Sequence, residues 1–225
     1  MSANSKLRSP EAAALFSFWS RAFTHSADAC TLMSLGSYSS CAPVLRAACD
    51  CIAAQRLLLA EGFAEYHAWL EGALSQDRER AAMAFDLGRF RAGSALAEDE
   101  QLGSVYRLLT DLSMLHFGST ALHVAPDSNL QKLAISFSDS AFHLGWAELV
   151  AGWLLMLGDA QLTTIASAGV FAVNHAALAV YQTYSREIAD ALASQRRCYV
   201  EEVTGRFLLH NYRRTAGGSP KRVRL

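Results

Sequence analysis

Pro43-Val44-Leu45-Arg46-Ala47-Ala48-Cys49-Asp50-Cys51-Ile52-Ala53-Ala54-Gln55-Arg56-Leu57-Leu58-Leu59-Ala60 is the stretch that decides the fold. Alanine and leucine dominate it and no glycine interrupts it. Ser39 and Ser40 supply capping hydroxyls just before a proline that the first turn of a helix accepts. The reading is a helix from about Pro43 to about Ala60. Arg46 and Asp50 stand four residues apart and so share a face, among Val, Leu, Ala, Cys and Ile side chains. An arginine in such company needs a partner if it is buried.

The same bias runs through all 225 residues. There are 39 alanines and 31 leucines against 14 valines plus isoleucines, which favours helices over sheets. Hydrophobic residues reach 52% and charged ones 18%, enough apolar surface for a sizeable core and too little charge for disorder. Prolines occur only at 10, 43, 126 and 220, so long segments are free of obligatory helix breaks. The expectation is an all-α fold, a single helical bundle-like domain of about six to eight helices. A first helix should run from about Pro10, capped by Ser9, to about Leu35, where Gly36 ends it. Gly62 and Gly72 flank a third segment holding Tyr66, His67 and Trp69. The charged stretch from Gln76 to Arg91 reads as a solvated face. Glu98, Asp99 and Glu100 supply acids for the start of a helix holding Tyr106 to His116. Phe117 to Ser128 is expected as a loop. Two long helices should follow, over about Leu130 to Leu157 and Ala160 to Ala193, turning at Gly158 and Asp159.

A net charge of -1 leaves no overall field to gather nucleic acid or an anionic membrane. The C-terminal region differs: Arg196, Arg197, Arg206, Arg213, Arg214, Lys221, Arg222 and Arg224 face only Glu201 and Glu202. The expected division is an all-helical domain over 1–214 and a disordered basic tail over 215–225. The first residues lack the apolar region of a signal peptide, so a cytoplasmic location is expected. The apolar stretches Phe142 to Gly158 and Ala160 to Tyr181 carry His143, Glu148, Gln161, Asn174 and His175. They read as buried helices of a soluble bundle, with no membrane contact. The apolar excess makes a homodimer the expected assembly. Five cysteines without a C-x-x-C pair read as small buried thiols.

One constellation stands out as able to carry chemistry. On the helix holding Tyr106, the polar residues Tyr106, Thr110 and Ser113 form a stripe opposite Leu108, Leu112 and Leu115, and His116 lies at its edge. The expectation is that Arg46, Asp50, Tyr106, Ser113 and His116 meet between two helices. There the arginine could hold a phosphate or carboxylate and His116, the candidate catalytic residue, could move a proton near neutral pH. The alternative reading is a structural Arg46–Asp50 pair and a helix-terminal histidine with a backbone partner.

The run Gly36-Ser37-Tyr38 through Leu45-Arg46 to Asp50, then Trp69, then Tyr106 through Leu112-Ser113 to His116, resembles a group of bacterial all-helical domains of unknown function. These pair an aliphatic-Arg-x-x-x-acidic helix with a Tyr…Leu-Ser-x-x-His helix. The group is similar in layout to abortive-infection proteins and, more remotely, to the higher-eukaryote-and-prokaryote nucleotide-binding (HEPN) helical domains. Asp50 stands where glutamate is commoner. HEPN-type ribonucleases would imply an arginine, four to six residues, then a histidine. Arg21 with His25 and Arg206 with His210 are each one residue too short, and Arg107 with His116 is too long.

Other chemistries find less support. No Glu-x-x-His or His-Glu-x-x-His pair points to a metal, and neither a Gly-x-Ser-x-Gly elbow nor a phosphate loop is present, so no cofactor is expected. No basic recognition helix points to DNA. Two functions follow as expectations. The first is a non-catalytic helical domain binding a small anionic or apolar ligand, or a partner, between helices. The second, implied only by the resemblance, is an RNA-cleaving defence or toxin-type enzyme.

Overall fold

The structure is a computed structural model that describes residues 9–73, 95–96, 98–129, 131–169, 171–195, 197–210 and 221–225. Within them the chain is mostly α-helical, with seven helices and one small sheet. The helices are α1 (Pro10–Ser34), α2 (Tyr38–Ala60), α3 (Ala64–Ala73), α4 (Glu100–Ser113), α5 (Phe117–Val124), α6 (Leu144–Ala168) and α7 (His175–Gln195). Strands β1 (Tyr199–Val203), β2 (Arg206–His210) and β3 (Arg222–Arg224) form an antiparallel sheet in the order β1-β2-β3. The charged stretch Gln76 to Arg91 lies outside the described residues.

The α2 helix is the centre of the core. Leu45, Ile52 and the small residues Ala48, Cys49 and Ala53 are almost completely buried, and α1, α4 and α6 pack around them. Small side chains let the helix axes approach, while leucines from each neighbour fill the remaining volume. Two polar groups are buried with this apolar set. Gln55 donates from Nε2 to the Leu15 carbonyl oxygen at 2.9 Å, and Gln161 donates to Gln55 Oε1 at 2.6 Å. The glutamine pair therefore ties α1, α2 and α6 together. Four of the five cysteines are buried and none is in a disulfide, with burial pushing Cys41 up to about 11 and Cys49 up to about 12. Cys30 is exposed, against the expectation for it.

Arg56 holds the start of α4 against two other helices. Its Nη1 donates to Asp99 Oδ2 at 2.6 Å and its Nε to Thr164 Oγ1 at 3.0 Å. Asp99 also caps α4 by accepting from the Leu102 N–H at 2.8 Å. Burial raises the Asp99 carboxyl, but the Leu102 N–H and the Arg56 guanidinium outweigh it and hold the group below its ordinary range. Asp99→Ala removes cap and ion pair together and is expected to cost about 2 kcal/mol in urea unfolding. Asp99→Asn, which keeps an accepting oxygen, should cost about half of that.

The helices α1, α2, α3 and α4 lie close to where the sequence places them, except that α4 ends at Ser113, before the His116 it was expected to hold. Pro43 sits inside α2 rather than at its first position, because the helix begins at Tyr38, whose ring is buried and stacks on Trp146. Four expectations are overturned. Phe117 to Val124 is a helix, capped by His116, and not a loop. No helix runs through residues 131–143. The helix begins only at Leu144, where the His143 side chain accepts from the Trp146 N–H. Gly158 and Asp159 lie inside α6, which ends instead at Gly169, a glycine in the left-handed conformation (φ +62°) that closes helices without a Cβ penalty. At Gly158 a Cβ would fall 2.7 Å from the Tyr181 hydroxyl, so that glycine serves the approach of α7.

The fourth correction concerns the C-terminus. Residues 199–210 form a hairpin whose turn residues Thr204 and Gly205 both have positive φ, the geometry of a tight type I′ turn. Arg222 to Arg224 form a strand on that hairpin, where a disordered tail was expected, and the Leu225 N–H donates to the Phe207 carbonyl at 2.9 Å. The inner face of the sheet, with Phe207, Leu209 and Leu225, closes one side of the core.

Helix α6 is long and apolar enough to cross a membrane by length and composition. Trp146, Val150, Trp153, Leu157 and Ile165 are buried, with α1 and α2 as the main neighbours of the helix. Helix α7 touches mainly α6 and leaves Val180, Tyr184 and Ile188 exposed along one stripe.

Candidate functional site

The seam between α2 and α4 brings together three of the five residues expected there. Arg46 and Asp50 come from one face of α2 and Tyr106 from the polar stripe of α4, and all three are half-buried. Arg46 Nη2 donates to the Tyr106 hydroxyl oxygen at 3.3 Å, and the guanidinium carbon lies 5.4 Å from the centre of the same ring, within cation–π range. The Tyr106 contact favours the charged arginine and outweighs its burial, so Arg46 is held above its ordinary range. Burial raises the Asp50 carboxyl more than Arg46 and the Tyr106 hydroxyl lower it.

Arg46 and Asp50 act on each other through their charges, but the direct salt bridge of the alternative reading is not made. Among the described residues no carboxylate reaches ion-pair distance of Arg46, and its Nε is buried with no hydrogen-bond partner. A guanidinium carries five donors in a rigid fork matched to phosphate or carboxylate oxygens, and here one phenol oxygen is its only hydrogen-bond partner among the described residues.

Ser113 and His116 do not join this group. Ser113 lies seven residues beyond Tyr106, about 10 Å along the axis, and its hydroxyl donates back to the Leu109 carbonyl at 2.6 Å. His116 Nδ1 accepts from the Gly118 and Ser119 N–H groups at 3.1 and 3.3 Å, which requires Nε2 to carry the proton it donates to the Asp111 carbonyl at 3.0 Å. Both ring nitrogens are thereby committed to the junction of α4 and α5. The candidate catalytic residue is a helix cap, which is the backbone-partnered role weighed against it, and it carries no proton to the seam. Arg206 and His210 also change meaning, because they lie on a strand. They still share a face, but about 13 Å apart rather than one helical turn.

A second cluster had no clear sequence signal. A cleft of about 40 Å³, room for about three waters, opens beside the turn joining α1 to α2. Tyr38, His123, Asp139, His143 and Trp146 line it. The His143 N–H donates to the Tyr38 hydroxyl at 2.9 Å while its Nδ1 caps α6. The His123 ring lies 5.5 Å from that of Trp146, and its buried Nε2 has no partner among the described residues. Burial pushes His123 down to about 4, so it stays neutral at physiological pH. Tyr38, His123 and the 139–146 stretch come from three separate parts of the chain, and histidine is not among the favoured capping residues, so neither spacing nor residue type marks the cluster. The cleft is too small for a nucleotide. Among the described residues no three His, Cys, Asp or Glu side chains gather as metal ligands would.

Compared with protein-family models, with curated proteins and with solved structures, the chain matches none.

Proposed function

We propose that the protein is a helical ligand-binding domain that takes a small anionic ligand, a phosphate or carboxylate, at the seam between α2 and α4. Arg46 is the anion contact, Tyr106 orients its guanidinium, and Asp50 limits how much negative charge the seam accepts. The observation that carries this reading is the unmet demand of Arg46: a half-buried, charged guanidinium with an orphaned Nε and, among the described residues, no carboxylate at salt-bridge distance, Asp50 acting on it only through its field. A buried structural arginine is ordinarily matched by an acid, because an unpaired charge costs several kcal/mol of desolvation.

Calorimetric titration with inorganic phosphate and with succinate tests the proposal. Wild-type protein is expected to bind at least one of them, and Arg46→Gln to bind it about 10- to 100-fold more weakly, the worth of a charge-assisted hydrogen bond. Tyr106→Phe keeps the ring and should weaken binding only a few-fold. Equal affinity in Arg46→Gln and wild type, or no anion binding by wild type, overturns the reading. RNA cleavage, the second function, gains no support from the positions of His116 and His210.

A further inference from the structure

The outer face of the small sheet carries a charge pattern at odds with the near-neutral molecule around it. Phe207 and Leu209 of β2, Val200 of β1, Val223 of β3 and Leu225 just beyond it all pack on the core. Strand alternation therefore places Tyr199, Glu201 and Val203, Arg206, Leu208 and His210, and Arg222 and Arg224 on the opposite face. Arg206, Arg222 and Arg224 are exposed, and none has a carboxylate partner among the described residues. The register puts Leu208 opposite Arg224, so Arg206 lies about 8 Å from Arg224, and Arg222 lies about 7 Å further along β3. Three unpaired positive charges thus form a track across two strands.

The cross-strand row at one end of this track is Tyr199, His210 and Arg222. The Tyr199 and His210 rings stack with centroids 4.3 Å apart and planes 7° from parallel; His210 is buried and Tyr199 half-buried, so Tyr199 is the ring within reach of a ligand. Glu201, the one acid on this face, is engaged by His210 Nε2 at 3.1 Å. A partly exposed aromatic ring beside evenly spaced guanidinium groups is a combination that holds a single-stranded nucleic acid, with phosphates along the cations and a base against the ring. The net charge of -1 means this field is local to one face, and the face has no large exposed apolar side chain beyond Val203 to enter a bilayer.

We infer that the outer face of the β1-β2-β3 sheet binds single-stranded nucleic acid, with Arg206, Arg222 and Arg224 on successive phosphates and the half-buried Tyr199 ring, backed by His210, against a base. The inference is independent of the anion site at Arg46.

Fluorescence anisotropy of the full chain with labelled single-stranded RNA and DNA 12-mers of mixed sequence, at increasing KCl, tests it. Binding should weaken with salt at a log–log slope of about -2, three phosphate contacts at ~0.7 each for single strands. The double variant Arg222→Gln/Arg224→Gln should bind at least 10-fold more weakly, with the slope reduced to about -0.7. Arg206→Gln, beside the solvent-exposed turn, provides the same test with one contact if the double variant fails to fold. Arg186→Gln on exposed α7 and Arg46→Gln should bind as wild type does, which separates this site from the seam. The inference is overturned by absence of binding at low salt or by equal loss in the Arg186 control. It is overturned equally if a polyglutamate peptide, phosphatidylserine vesicles or duplex DNA bind as tightly as the single strands.

Discussion

Gly36→Ala is expected to lower the melting temperature by about 6–12 °C. Gly36 has φ +73° between α1 and α2, and a Cβ there would fall inside the contact radius of the Ser140 carbonyl oxygen, which is backbone and can move only with the segment leading to His143. The left-handed conformation costs a non-glycine residue about 1–2 kcal/mol, and forcing the segment away adds about 1–3. A total of about 3 kcal/mol gives the stated shift in a chain of this length, at roughly 2–4 °C per kcal/mol. Gly62→Ala supplies the control. Its φ of +60° is nearly the same, but nothing lies within 4 Å of the added carbon, so only the conformational cost of about 1 kcal/mol is expected. Melting curves followed by circular dichroism check both. Equal shifts for the two variants would show that the contact with Ser140 contributes nothing.

Acidification from pH 7 to pH 4 is expected to remove about 3 kcal/mol of stability through His123 alone. Its folded-state value of about 4 lies below the ordinary 6.5, because burial beside Trp146 disfavours the charged ring. Between these two values the unfolded chain binds a proton that the folded chain refuses, so the contribution is complete above pH 6.5 and is lost as pH falls toward 4. At about 1.4 kcal/mol per pH unit the interval amounts to the figure given. His123→Leu, similar in size and unable to take a proton, should flatten the melting temperature across this window relative to wild type. Parallel pH profiles for the two proteins would contradict the assignment. Asp139 and His143 line the same cleft and remain in both proteins, so the difference between profiles isolates His123.

Part of the candidate seam was readable from spacing. Arg46 and Asp50 share a face because four residues make slightly more than one helical turn, and Tyr106 belongs to a polar stripe whose opposite side is leucine. Their meeting required only that two amphipathic helices pack with these stripes adjacent, which α2 and α4 do. The same stripe runs on to Ser113, but the packed seam does not, and the serine hydroxyl turns to its own backbone. The polar stripe predicts that the helix of Tyr106 reaches His116, but α4 ends at Ser113 and His116 lies beyond its C-cap. That it begins another helix was hidden, because its Nδ1 substitutes for the usual Ser, Thr or Asp cap.

Where the structure departs from local pattern, long-range packing is the cause. Residues 131–143 continue an apolar pattern that a helix could adopt, yet the chain runs non-helically there, with the Ser136 N–H donating to the Val124 carbonyl at 2.7 Å. Gly158 looked like a helix end because glycine is a weak helix former, while its role is to admit the Tyr181 hydroxyl. Thr204-Gly205 is a turn pair whose meaning depends on two strands finding each other, and β3 contributes from more than ten residues away.

Local composition and periodicity were sufficient for the helical character of this chain, the positions of α1 to α4 and the pairing potential of Arg46, since each depends on neighbours within one or two turns. The sheet and its basic outer face, the capping histidines, and the lack of a direct salt bridge to Arg46 among the described residues arose from packing between segments distant along the chain. Burial and hydrogen bonding across such distances set the protonation of His123, the conformation of Gly36 and the demand of Arg46 for an anion, and none of these energies is a property of the local sequence.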